Sequence, residues 1–297
     1  MIRFRVPGTT ANIGPGFDSF GMALNIYNEI TLEQIDGKIE FLQNGQPSPI
    51  ALEDNLIYTS FIDTLNKYNH KCNGIRLNLT KCDVPISRGL GSSATCIVAG
   101  IFAANVVMGG ILTEEDIINE AVKVEGHPDN IVPAVVGGMT ISLVNEGTVL
   151  YSKVNVPDDL RLFVMIPDYK LSTEDARTVL PKDYSREECV FNVSRAAMLV
   201  NSMNNGNYEK LRVSVQDKIH QNYRKNLIRD IDEVFAAAKK YGSLAEVISG
   251  SGSTLIAMVK GDDMEFCENM KTFLSKLQDN WQVHLLKPDF EGIKVLE

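Results

Sequence analysis

The chain is short of basic charge and of paired cysteines, and each shortage narrows what it can be. Lys and Arg number 29 against 38 Asp and Glu, leaving a net charge of −9. Nucleic acids and anionic membranes are gripped by basic patches, so neither is an expected partner. The five cysteines (Cys72, Cys82, Cys96, Cys189, Cys267) are odd in number and include no CxxC pair. That disfavours a disulfide framework or a zinc site and makes a reducing cytoplasm the expected setting. The N-terminal residues, with Arg3 and Arg5, lack the apolar core of a signal peptide. The run Cys96 to Leu112, broken only by Asn105, has 17 residues and three glycines. A membrane span needs about 20 residues, so a buried helix is expected there. No GxxxxGK[ST] string occurs, which excludes an ordinary Walker A loop.

Among what is present, 44% hydrophobic and 23% charged residues over 297 positions suit a soluble globular chain with room for two domains. Alternating Ile2, Phe4 and Val6 predict a strand over 2–6, ended by Pro7, with loop chemistry over 9–18. Strands follow at 22–34 and 38–43, a helix at 55–68, and a strand carrying Ile75, Leu77 and Leu79. Helices are predicted at 93–108 and at 113–124, the second with the acidic first turn Glu114-Glu115-Asp116. A hairpin of 138–145 with 148–154 turns at Asn145-Glu146-Gly147. Pro157-Asp158-Asp159 marks the boundary between domains at 1–156 and 157–297. The second half reads as a strand at 161–166, helical patterns from 173 to 240, strands at 244–248 and 254–259, a helix at 262–277 and a strand at 282–286. Strands and helices do not alternate regularly, so the expected class is α+β.

The string Pro85-Ile86-Ser87-Arg88-Gly89-Leu90-Gly91-Ser92-Ser93-Ala94 sits between a strand and that apolar helix. Such a loop can turn backbone N–H groups inward at a helix N-terminus, a site for phosphate. Its hydroxyls suit phosphate oxygens or Mg²⁺. A plain helix start with Ser92 or Ser93 as N-cap would also explain it. The embedded GxGxxA resembles a dinucleotide fingerprint, but Lys81 to Arg88 separate Gly89 from its strand.

Asn12 and Asp18 share a loop with Gly14, Pro15 and Gly16. They could bind an ammonium and a hydroxyl, or simply satisfy their own backbone as Asx turns. Glu125, His127, Asp129 and Asn130 are a poor zinc set; Asp129 or Asn130 could equally cap a helix. Arg177 and Arg224 suit a carboxylate through bidentate pairing, or are solvated surface charges. Asn55 reads as the N-cap of the helix it opens.

The phosphate string resembles the second motif of the GHMP kinase superfamily, PxxxGLGSSAA, with Thr95 at its last position. Pro7 to Asp18 and Glu125-Gly126-His127-Pro128-Asp129-Asn130 resemble the branch of that superfamily that phosphorylates homoserine. So do Ser172-Thr173-Glu174-Asp175-Ala176-Arg177 and Asp217 to Arg224, and Ser249-Gly250-Ser251-Gly252-Ser253 corresponds to the third, glycine-rich motif. The resemblance implies an N-terminal domain like the second domain of ribosomal protein S5 and a ferredoxin-like C-terminal domain. It implies ATP wrapped by Pro85 to Thr95, with Asn55 near the adenine. Mg²⁺ would be held by Ser92 or Ser93 and Glu125. L-homoserine would be bound by Asn12, Asp18, His127, Asn130, Arg177, Arg224, Gly250 and Gly252, and Asn12, Asp18, Glu125 and Arg177 would be the catalytic set. A homodimer is the family's habit. Three rivals stand beside this reading: a mevalonate or shikimate kinase of the same superfamily, a dehydrogenase using GxGxxA, and an amino-acid-binding protein without turnover.

Overall fold

Period-two burial lays down the first half of the chain, described here from a computed structural model that covers residues 1–296. Strands β1 (Ile2–Ala11) and β2 (Phe20–Gln34) pair antiparallel along nearly their whole lengths. The sheet grows through β3 (Glu40–Gln43), β4 (Gln46–Pro47) and β5 (Ile75–Cys82), which follows helix α1 (Leu56–Lys67). After β5 come α2 (Ser92–Val107), α3 (Glu114–Glu125), α4 (Ile131–Val136) and the hairpin β6 (Met139–Asn145) with β7 (Thr148–Val154). Pro7 does not end β1. A register shift between Pro7 and Gly8 absorbs the proline, and the strand's other edge is paired only at Phe4 and Arg5, so the missing N–H costs no ladder bond there.

Helix α2 buries ten residues and has no polar face, as a helix enclosed on all sides should. No helix of the described residues is long and apolar enough to cross a membrane. Gly100 lets α1 lie against α2: a Cβ there would fall 2.4 Å from the Ile57 carbonyl oxygen. The one polar interruption, Asn105, accepts from Leu112 N and donates to Leu112 O, fixing the loop after the helix. Thr113 and Asp116 form a capping box at the start of α3.

The second half runs β8 (Leu160–Pro167), α5 (Thr173–Thr178), α6 (Arg186–Asn204), α7 (Leu211–Ser214), α8 (Gln221–Arg224) and α9 (Ile231–Lys240). It continues with β9 (Ala245–Ile248), β10 (Leu255–Lys260), α10 (Met264–Leu274) and β11 (Trp281–Leu286). The sheet order β11-β8-β10-β9, all antiparallel, is the split βαββαβ arrangement of a ferredoxin-like unit. Its strands face two ways. Leu162, Val164, Ile256 and Met258 pack on Met22, Leu24 and Ile26 of β2, while Phe163, Met165, Leu255 and Ala257 pack on α9 and α10. The two halves therefore share a hydrophobic core, in which each fully buried aliphatic side chain contributes about 1.5–3 kcal/mol. The chain then returns to the first sheet, where β12 (Lys294–Val295) pairs with β1.

Candidate active site

The turn at 87–91 ends on Gly91, which is the N-cap of α2 in the left-handed region (φ 68°). Ser92 and Ser93 do not cap the helix, contrary to the plain helix-start reading. A glycine serves because a Cβ at Gly91 would lie 1.9 Å from Thr9 Oγ1. The first N–H groups of α2 have no carbonyl one turn below them and face the cleft with the positive end of the helix dipole. Ser93 Oγ donates to Glu125 Oε2 at 2.6 Å, from the first turn of α2 to the last residue of α3. Leu90, Ala94 and Thr95 point into the core instead, and Thr95 Oγ1 donates to the carbonyls of Pro7 and Gly91. Pro85 also lies off the cleft wall, whereas Ile86, Ser87, Arg88 and Gly89 are on it. Arg88 sends its guanidinium to the carbonyls of Pro167 and Asp168, so its charge is tied to the end of β8.

The glycine-rich loop at 249–253 closes the turn from the other half. A Cβ on Gly89 would sit 2.2 Å from the Ser249 carbonyl oxygen. Ser249 Oγ donates to Gly89 O at 2.6 Å, and Thr254 N donates to Arg88 O at 3.1 Å. The Gly250 carbonyl accepts from both Asn12 Nδ2 (2.9 Å) and Arg224 Nη1 (3.0 Å). Gly250 is on the cleft wall; Gly252 is not, and a Cβ on it would run into Ile228.

Beside the turn, Asp18 and Arg177 form a two-point ion pair at 2.8 and 3.1 Å. Asn12 Oδ1 accepts from Asp18 N at 3.0 Å, and Asn12, Ile13 and Asp18 all hold positive φ, a strained loop of the kind found where side chains must be aimed. Arg177 sits near the end of α5, capped by Ser172, and its hydrogen bond to Asp18 raises its pKa. Arg224 is 2% exposed, donates to Ala176 O and Gly250 O, and lines the cavity. Burial, then repulsion from Arg177, pulls its pKa down to about 10. His220 is structural: Nε2–H donates to Gly14 O at 2.8 Å, leaving Nδ1 to accept from Arg224 Nη1 at 3.3 Å. Burial lowers its pKa, which keeps that acceptor neutral.

His127 Nδ1–H donates to Asp129 Oδ1 at 2.7 Å. Burial alone would lower the His127 pKa, but the hydrogen bond and charge of Asp129, with Glu125 and Asp18, raise it overall. Asn130 takes the N-cap position of α4, but its side chain makes no capping bond. Asn130 donates to Asp129 at 3.2 Å and accepts from Thr9 Oγ1 at 2.7 Å. Asn55 does cap α1, accepting from Ile57 N and Tyr58 N, and still borders the cavity.

These groups line one cavity of about 310 Å³, with Ile50, Leu56, Leu79 and Ile86 forming an apolar end. No lysine lines it. Two sets of side chains could hold a cation. Ser93 and Glu125 are hard oxygen donors, suited to Mg²⁺ beside phosphates. Asp18, His127 and Asp129 also converge within 4.8 Å, but one of the three donors is an imidazole, which does not suit Mg²⁺. Sequence reasoning missed the supporting carboxylates. Asp129 was read only as a possible helix cap or a poor metal ligand, whereas it holds His127 and Asn130. Asp217, which takes the N–H groups of Ile219, His220 and Gln221 and so sets α8 and Arg224, opens the segment Asp217 to Arg224 but was given no role of its own.

Two family descriptions match the chain: GHMP kinases N terminal domain over residues 55–138 and GHMP kinases C terminal over 197–276. A homoserine kinase of Clostridium novyi is 65% identical over 297 residues, covering 100% of this chain and 99% of that protein. One of Clostridium acetobutylicum is 47% identical, covering 100% of both. The crystal structure of homoserine kinase from Cytophaga hutchinsonii superposes with a TM-score of 0.88 at 28% identity, covering 99% of this chain and 97% of that one.

Proposed function

We infer how this cleft works from the premise that the chain belongs to the GHMP kinase family and, within it, to the homoserine kinases. The reaction transfers the γ-phosphoryl group of ATP to the side-chain hydroxyl of L-homoserine, giving O-phospho-L-homoserine and ADP, a step of threonine biosynthesis. One observation carries the assignment of residues: a helix N-terminus suited to phosphate and a set of charges complementary to a zwitterion share a single cavity.

The base of ATP is assigned to the apolar end near Asn55, and its phosphates to the amides from Gly89 to Ser93. Ser93 and Glu125, with Ser92 adjacent, are the residues that would hold Mg²⁺, which when bound offsets charge on the phosphate oxygens. Asp18 is assigned to the substrate ammonium, Arg177 and Arg224 to its carboxylate, and His127 and Asn130 to the hydroxyl end. Asn12 keeps Asp18 aimed. The hydroxyl oxygen attacks phosphorus in line as the bond to the β-phosphate oxygen of ADP breaks, and the hydroxyl proton passes to the transferred phosphoryl group or to solvent. With no lysine on the wall to act as a base, catalysis rests on positioning and charge stabilisation. The working division is an ATP-binding unit at 1–156 and a second unit at 157–297 whose tail lies back on the first. A cytoplasmic homodimer is the assembly we carry forward, read by mass in solution.

A coupled ADP-release assay across L-homoserine, mevalonate, shikimate and galactose tests the reading. Homoserine should give kcat/KM at least 100-fold above the others, because a site built on charge pairs rejects substrates lacking the charges. Equal or faster turnover of another acceptor, or binding of homoserine without ADP release, would overturn it.

A further inference from the structure

Phe17, between Gly16 and Asp18, meets three nitrogen-bearing groups. The guanidinium carbon of Arg224 lies 5.2 Å from its ring centroid and that of Arg177 lies 5.5 Å from it. The imidazole of His220 stacks at 5.5 Å with the planes 30° apart. Phe17 does not line the cavity; both arginines do. Two guanidinium groups brought this close repel each other, and Asp18 bonds to only one of them. An aromatic face attracts a cation within about 6 Å, each contact being worth about 2- to 30-fold in an equilibrium. The same loop also reaches Arg224 through His220, which donates to Gly14 O and accepts from Arg224.

We propose that Phe17 is a positioning residue: its ring holds Arg177 and Arg224 at the separation at which both guanidinium groups meet one α-carboxylate. This rests on the reading of those two arginines given above. The ring touches neither substrate nor nucleotide, so its loss weakens acceptor binding and leaves the nucleotide end alone. A leucine at the position keeps apolar bulk and loses the π face.

The test uses the purified full chain. Phe17→Leu is expected to raise KM for homoserine about 10- to 30-fold, with kcat and KM for ATP within about twofold, and Phe17→Tyr should restore most of the loss. Ring-fluorinated phenylalanines at position 17 drain the π face with little change of shape. Across that series log KM for homoserine should climb with each added fluorine, a readout open even if the leucine variant folds poorly. A flat fluorinated series, or equal changes in all three constants, overturns the proposal. Arg177→Met is measured in parallel. If it leaves KM for homoserine unchanged, the carboxylate reading fails and the proposal falls with it; if it raises KM while the fluorinated series stays flat, only the role of the ring is lost.

Discussion

At the phosphate turn of the nucleotide end the ligand-facing groups come from one short segment, Ile86 to Ser93 without the buried Leu90, and are largely backbone. At the acceptor end they come from four segments and are all side chains: Asn12 and Asp18, His127 and Asn130, Arg177, and Arg224. The contacts that assemble the second end span 159 residues between Arg177 and Asp18 and 238 between Asn12 and Gly250. A backbone site depends on the φ angles of a few glycines and tolerates changes of side-chain chemistry. A side-chain site depends on long-range packing, and each of its charges must be held against desolvation. The two ends should therefore fail separately and show it in different constants.

The sharpest separation is expected from Arg224→Met. The methionine fills similar volume without the charge, so the buried site loses a donor that the substrate carboxylate needs. Losing one partner of a buried charge pair costs about 2–5 kcal/mol, so kcat/KM for homoserine should fall on the order of a thousandfold. KM for ATP should stay within about twofold. A matching rise in KM for ATP would show that Arg224 supports the phosphate turn, through the Gly250 carbonyl it shares with Asn12, more than it supports the acceptor.

The reverse experiment is Ser93→Ala. It removes the hydroxyl 2.6 Å from Glu125 and leaves every acceptor-side group in place. One lost hydrogen bond to a charged group is worth about 1.5–3 kcal/mol, a factor of roughly 10 to 100. The loss should appear in the dependence of rate on Mg²⁺ and ATP, with KM for homoserine steady. A shift confined to homoserine would break the comparison, because the turn would then be shaping the acceptor pocket.

How far the sequence could be read follows the same division. The contiguous end was legible: the glycine-serine string, the buried helix after it and the cap at Asn55 all lie in local sequence. The ferredoxin-like half was legible as an element order, because its strands alternate cleanly between two cores. Pro7 misled because its lack of an N–H matters only where a neighbour would have used it, and neighbours are set by the fold. Helix α4 was legible only as a start capped by Asp129 or Asn130, and both side chains bond elsewhere. The two-residue strand β12 was hidden because it exists only through its pairing with β1. Phe17 acts by touching Arg177, His220 and Arg224, far along the chain, so its neighbours in sequence do not show those contacts; Asp217 works locally, on the N–H groups of the next few residues. Arg177 and Arg224 were named from a family resemblance; spacing alone left them indistinguishable from surface charge.

His127 lies on the wall between the two ends, and it offers the smallest effect. Burial disfavours its charged form, but Asp129, Glu125 and Asp18 together raise its pKa above the ordinary value of about 6.5. A raised pKa means the folded protein binds the proton more tightly than the unfolded chain does. The resulting stability is fully present below the unfolded pKa and is lost as pH rises through the higher folded one. Comparing the wild type with His127→Gln cancels the carboxylates common to both. The wild type should melt higher by on the order of 2 °C in mildly acid buffer, and the gap should close as pH climbs past 6.5 and through the folded pKa. A gap that widens toward alkaline pH would mean that the neutral imidazole is the stabilising form. The Asp129 hydrogen bond would then be fixing ring orientation at the acceptor end and would not be storing a charge between the two.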